Sequence, residues 1–224
     1  MLARSSRDHP QRALVQRALR VGLSIAAKLS LGLGALCAAL FVLAQTDRTV
    51  ASTSAIDAFH EVQRAALAST PDQTTWSAQR QVDYRASLAE KFDAPPGVIA
   101  ITSLKLTVPI FAGTSDLVLN RGVGWIEGTA MPGEDGNVGL AGHRDGYFRG
   151  LKDLKLGDTI EVQSVGRTMR YRVTELKVVD PTDVSVLDPT DEPSVTLVTC
   201  YPFYYVGNAP QRYIVRGTLD RSRA

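Results

Sequence analysis

Beyond Ala94-Pro95-Pro96-Gly97 the chain breaks into short β-branched and aromatic runs, each stopped by a turn cluster, and this texture limits the fold more than any other feature. The runs are Val98–Ile101, Leu104–Ile110, Val138–Ala141, Thr159–Val165, Arg167–Val173, Glu175–Val179, Val195–Thr199 and Arg212–Val215. A turn at Gly113–Asp116 and an irregular Gly-rich piece at Gly122–Thr129 interrupt them. Tyr147–Leu154 reads as a helical turn, and Asp180–Pro193 as an acidic loop. About eight short strands with little helix predict a mainly β domain, a closed or nearly closed barrel over residues 97–219. Residues 220–224 form a tail.

The N-terminal part has a different character. From Val21 to Ala44 the chain is almost wholly apolar, and its length as a helix, about 36 Å, suffices to cross a bilayer. Lys28 lies close enough to its start to snorkel. Residues 1–28 hold six cations against Asp8, a charge of +5, so the rest of the chain must carry −3 to give the overall +2. Five arginines ahead of the apolar run mark the cytoplasmic side. The expected topology is therefore a cytoplasmic basic tail (1–20), a single transmembrane anchor (21–44) in the inner membrane and an exported remainder. A cleaved signal peptide ending near Ala44 is the alternative, disfavoured by the long charged lead.

Residues 45–96 are predicted to form a stalk of one or two helices able to pack on the domain: Ile56, Phe59, Val62, Ala66 and Leu67 recur at helical spacing, and a second helical stretch surrounds Trp76–Phe92. Trp76, Tyr84 and Phe92 read as packing residues and His60 as a surface residue. The mildly acidic remainder has no basic stripe, which excludes nucleic acid as a partner.

Two cysteines are present, and Cys37 falls inside the apolar run, out of reach of Cys200. A lone thiol in an exported domain favours a chemical role over a structural one. Cys200 ends a strand that Pro202 prevents from continuing, and the turn at Gly207, Asn208 and Pro210 returns the chain through Arg212, making a hairpin. A thiol nucleophile needs a positioned base. His143 is the sole histidine of the barrel region, since His9 and His60 precede it, and it too follows a short apolar strand. Acyl transfer also needs donors for the developing oxyanion; Arg212 suits this because its strand pairs back on the cysteine strand, with Arg144 a lesser candidate and Arg216 too far along.

Thr196-Leu197-Val198-Thr199-Cys200 resembles the TLxTC signature of sortases, the membrane-anchored cysteine transpeptidases. Gly136–Asp145 resembles their histidine motif and Ala209–Val215 their arginine strand, so the likeness spans about residues 97–219. Tyr201-Pro202-Phe203 and the loop from Gly207 to Arg212 are most similar to class D and to the proteobacterial type. Trp125 stands where some relatives carry another histidine.

The resemblance implies Cys200 as nucleophile, His143 as general acid/base, Arg212 as charged stabiliser, and Thr199 as a residue orienting substrate, although Thr199 read as a strand residue can equally be packing. It implies a protein substrate with a sorting signal similar to Leu-Pro-x-Thr-Gly, and an amine acceptor at the cell envelope; water in its place would make the enzyme a peptidase. The acidic loop corresponds to the one over the family's substrate groove. Its Asp180, Asp183, Asp188, Asp191 and Glu192 lack calcium-loop spacing, so no metal and no cofactor are expected. An L,D-transpeptidase would require Gly before the cysteine, where Thr199 stands; a membrane-tethered β-barrel that binds a partner without catalysis is the non-enzymatic rival. A reporter fused after Ala224 is expected to be active only outside the cytoplasm, and activity inside would reverse the orientation read from the arginines.

Overall fold

The computed structural model describes Lys28 and residues 30–41, 55–205 and 207–223. Residues Ser54–Ala224 form one compact unit, and residues up to Thr53 are assigned to another. In the latter, residues 30–41 are helical. Among the described residues no helix is long and apolar enough to cross a membrane. The tail 1–20 and the two ends of the 21–44 segment lie outside the described residues.

Eight strands close into a barrel: β1 (Gly97–Ile101), β2 (Leu106–Ala112), β3 (Val123–Trp125), β4 (Asn137–Ala141), β5 (Thr159–Ser164), β6 (Arg167–Val179), β7 (Ser194–Tyr201) and β8 (Gln211–Leu219). Their order around the barrel is β1-β2-β3-β4-β7-β8-β6-β5, with β1 and β5 completing the ring. The β2–β3 and β4–β7 pairs are parallel and the others antiparallel. Met169, Tyr171 and Val173 alternate inward along β6, as Ile160 and Val162 do along β5. They meet Ile99, Ile101, Leu140, Leu197 and Val215 in a continuous apolar core. Burying each large aliphatic side chain contributes about 1.5–3 kcal/mol.

The strand texture is realised with local differences. The expected strand from Leu104 begins at Leu106, because Thr102–Leu104 make a 3-10 turn closed by Lys105 at φ 52°. The irregular Gly-rich piece contributes β3, whose glycine lets the backbones approach closely: a Cβ on Gly124 would lie 2.3 Å from the Gly113 carbonyl oxygen. The two runs Arg167–Val173 and Glu175–Val179 form one strand bent by a register shift between Val173 and Glu175. β7 continues one residue past Cys200 to Tyr201.

Ahead of the barrel, α1 (residues 55–68) buries Phe59, Gln63 and Ala66 on one face. α2 (Ala78–Ser87) is shorter than the predicted stretch, with Ser77 capping its first turn. Trp76 and Tyr84 are buried, and with Tyr147 they form an edge-to-face trio with centroids 5.0–6.4 Å apart. From the segment expected to be a stalk, Trp76 and Tyr84 thus join the core cluster of the barrel. His60 is exposed as expected. A last short helix, α3 (Asp116–Arg121), leads into β3.

The acidic loop is tethered by Asn137 at the start of β4. Its buried amide nitrogen donates to the carbonyls of Val186 (3.2 Å) and Asp188 (3.0 Å), and its oxygen accepts from Thr196 at 2.7 Å. Asn137→Ala would leave these buried groups unpaired, which costs about 1–3 kcal/mol for each group stranded. A loss of about 2–4 kcal/mol in urea unfolding is expected, and a change below half of the lower figure would show the loop to be held otherwise.

Candidate active site

β7 runs between β4 and β8, and this placement assembles the site. On one side Ala141 of β4 registers with Val198, and the Gly142 amide donates to the Val198 carbonyl at 3.2 Å. Position 142 admits no side chain: a Cβ would lie 2.6 Å from the ring of Phe148, which is fully buried. The Thr199 hydroxyl, also buried, donates to the Gly142 carbonyl at 2.7 Å. His143 is thereby brought to the barrel rim, where its own carbonyl accepts the amides of Gly146 (3.1 Å) and Phe148 (3.3 Å) as a 3-10 turn begins.

On the other side Cys200 registers directly with Arg212 of β8. Directly opposed residues in an antiparallel pair project to the same face, with Cβ atoms roughly 4.5–5.5 Å apart. Arg216 registers with Thr196, four residues back, and its guanidinium donates to the Val186 carbonyl at 2.6 Å under the acidic loop. Cys200, His143 and Arg212 line one cleft of about 660 Å³. Cys200 is a free, half-buried thiol.

The imidazole of His143 is half-buried, and its Nε2 has no hydrogen-bond partner. Burial pushes its pKa down to about 4; the Arg80 guanidinium adds to this, while Asp145, Asp116 and Asp83 oppose it. The ring is therefore neutral at neutral pH and able to accept a proton. Arg212 Nη1 donates to the carbonyls of Gln211 (3.1 Å) and Ala209 (3.4 Å), which orders the guanidinium along its own loop.

Two further arginines shape the wall. Arg144 donates to the carbonyls of Tyr205 and Gly207, both at 2.8 Å, and lies 5.8 Å from the Tyr205 ring centre. Arg149 donates to the Phe203 carbonyl at 2.6 Å and stacks 4.1 Å from the Tyr204 ring centre. These contacts fasten the β7–β8 loop to the His143 turn. Four arginines, with Asp145 the one carboxylate, line the cleft, so its electrostatic character is cationic.

The three residues singled out from the sequence for chemistry thus border one cleft. Thr199 does not present its hydroxyl to that cleft, and of the two readings left open for it the geometry is that of a packing residue. Sequence reasoning missed Arg80, Ser77 and Arg149. Arg80 and Ser77 lie in the helical segment more than sixty residues before His143, and nothing in the local pattern marks them. Arg149 sits in a helical turn with no motif of its own. Trp125 donates its indole N–H to the Ala130 carbonyl at 2.9 Å and serves the fold. Among the described residues no cluster of three or more His, Cys, Asp or Glu could hold a metal.

Residues 99–220, more than half of the chain, match the Sortase domain family. The chain is 35% identical over 144 residues to Sortase D of Bacillus subtilis (strain 168), an alignment covering 64% of this chain and 73% of that protein. It is 37% identical over 134 residues to Sortase A of Listeria monocytogenes, covering 58% and 59% respectively. The solved structure of a Clostridium perfringens Sortase D5 transpeptidase superposes with a TM-score of 0.53 at 28% identity, covering 76% of this chain and 99% of that one. The class D likeness of the segment after Cys200 agrees with the Sortase D match. With a closed eight-stranded barrel that carries a cysteine, a histidine and an arginine on one cleft, the chain belongs to the sortase family of cysteine transpeptidases.

Proposed function

We propose that Cys200, His143 and Arg212 carry out acyl transfer from a sorting peptide similar to Leu-Pro-x-Thr-Gly to an amine at the cell envelope. One observation carries this reading: Cys200 and Arg212 are in direct register across a strand pair, and both border one cleft with the neutral imidazole of His143. His143 takes the thiol proton as the sulfur of Cys200 attacks the backbone carbonyl carbon of the peptide, normally that of its threonine. Negative charge moves to the carbonyl oxygen. The Arg212 guanidinium, held by its loop, donates N–H groups to that oxygen. As the tetrahedral centre collapses the C–N bond breaks, and His143 returns the proton to the departing amine.

A thioester on Cys200 remains. The incoming amine gives its proton to His143 and attacks the same carbon; the C–S bond breaks, and the imidazolium restores the thiol. Water in place of the amine releases a free acid and makes the reaction hydrolytic. Thr199 has a supporting task, since its bond to the Gly142 carbonyl couples the end of the cysteine strand to the histidine turn. Cationic walls suit a peptide whose reacting carbonyl becomes an oxyanion. The acidic loop, tied to β4 and β8 through Asn137 and Arg216, would border the bound peptide.

Anchoring in the inner membrane, with the barrel on the periplasmic side, belongs to the same proposal. It is supported by the uncharged apolar run from Leu29 to Ala44, by the arginines before it, and by the exposure of Leu31, Leu33, Leu36, Leu40 and Phe41 on the helical residues 30–41.

Incubation with a Leu-Pro-x-Thr-Gly peptide should give an acyl adduct on Cys200 by mass spectrometry, and Cys200→Ala should abolish both adduct and product. An unchanged product yield in that variant would end the mechanism. Arg212→Lys keeps the charge but loses the planar fork, so kcat should fall about a hundredfold, with a smaller effect on KM. Near-normal kcat would remove Arg212 from the site.

A further inference from the structure

Helix α2 precedes the residues that match the family, yet it reaches the cleft. Arg80 Nε donates to Asp145 Oδ1 at 3.2 Å, and Ser77 at the helix cap donates its hydroxyl to Asp145 Oδ2 at 2.9 Å. Both oxygens of one carboxylate are therefore held by a single helical turn. Arg80 Nη1 also donates to the side-chain oxygen of Asn120 on α3, and Asp83 Oδ2 lies 3.8 Å from it. Asp145 is two residues beyond His143. Gly146 lies between them and α2, where a Cβ would be in ordinary contact with Arg80 Cδ and His143 Cβ, each at 3.4 Å.

We propose that Arg80 is a positioning residue for the acyl transfer: acting through Asp145, it locks the turn that carries His143 onto helix α2 and holds a cation beside the imidazole. The helical segment ahead of the barrel is then a working part of the active site. This rests on the reading of His143 as the proton-transfer group.

The pair differs from an ordinary surface ion pair, which contributes little. The Arg80 and Asp145 side chains are 16% and 31% exposed, and two further residues, Ser77 and Asn120, hydrogen-bond to the pair. The charges around His143 come from several elements: Arg80 and Asp83 from α2, Asp116 from α3, Arg144, Asp145 and Arg149 from its own turn and the 3-10 turn that follows, with the Cys200 thiol from β7 and Arg212 from β8 on the same cleft. Arg80 is the one whose cation lowers the imidazole after burial itself, and three carboxylates work against it. Removing Arg80 withdraws the cation and also leaves Asp145 uncompensated, and both changes raise the imidazole. Removing the Asp145 charge breaks the same clamp but leaves the cation, which does not raise it.

The two halves of the clamp are thereby separable by titration. In the full chain labelled with ¹³C-histidine, the His143 resonance, assigned by its loss in His143→Gln, should titrate near pH 4. Arg80→Gln should move it up by about one pH unit, and Arg80→Lys, which keeps the cation, should restore it most of the way. Asp145→Asn should leave it unmoved or lower. The acid limb of Cys200 acylation, followed by mass spectrometry, should track these values, while thermal unfolding checks that each variant folds. A His143 titration unchanged by Arg80→Gln, or raised equally by Asp145→Asn, would overturn the inference. A wild-type chain that never acylates Cys200 would instead remove the proposed reaction, whatever the titration shows.

Discussion

The pairing of β7 with a parallel neighbour on one side and an antiparallel neighbour on the other is the constraint on which the site depends. Register along β7 sets three things together: Val198 fixes the end of β4 and hence His143, Cys200 sits at the rim, and Arg212 stands opposite it. A slip of one residue would turn the thiol to the other face and move the arginine out of step, since strand side chains alternate. The slip is opposed from the core side. Val195 and Leu197 are fully buried, and Thr196 is tied to the buried Asn137. Apolar burial and one polar network deep in the barrel thus hold a reactive geometry at its mouth.

Electrostatics at the mouth differ from those of the domain. The chain beyond Lys28 carries a formal charge of −3, whereas the cleft lining carries four arginines against Asp145. Two of those guanidiniums serve the protein itself by binding carbonyls of the β7–β8 loop and stacking on Tyr204 and Tyr205. A carbonyl partner satisfies hydrogen bonds without cancelling charge, so each loop-fastening arginine still contributes its positive field. A histidine placed among such cations and removed from water stays neutral, which suits a base that must accept a proton before it can return one.

Much of this was legible in the sequence because it is carried by local patterns. The alternation of short apolar runs with Gly, Pro and Asp clusters translates into seven of the eight strands, and Pro202 after Cys200 limits the cysteine strand to one further residue. The hairpin that joins Cys200 to Arg212 is a near-neighbour feature and was readable for the same reason. The parallel strand β3 was not, because three residues among glycines give no periodicity to count. The division of β6 into two runs reflects Thr174, a polar residue at a bulge, which looks like a break until the partner strand is known. Thr199 shows the same limit in the site: a hydroxyl beside a nucleophile suggests substrate, and only the third dimension reveals that it donates its hydrogen bond to the Gly142 carbonyl.

The helical segment ahead of the barrel packs against the turn that carries His143. Trp76 and Tyr84 leave the helical layer to pack edge-to-face with Tyr147, which belongs to the turn begun by His143. Such aromatic contacts contribute about 0.5–1.5 kcal/mol each beyond their buried area. They fix the distance and rotation of α2 relative to that turn, and without them the Ser77 hydroxyl and the Arg80 guanidinium would have no reason to meet one carboxylate. The apolar contacts set position, and the short polar contacts then set orientation. Because Ser77 and Arg80 are three residues apart, they share a helix face and address both oxygens of Asp145 at once. The strands begin at Gly97 and the family likeness spans residues 99–220, while the residues lining the cleft reach back to Ser77.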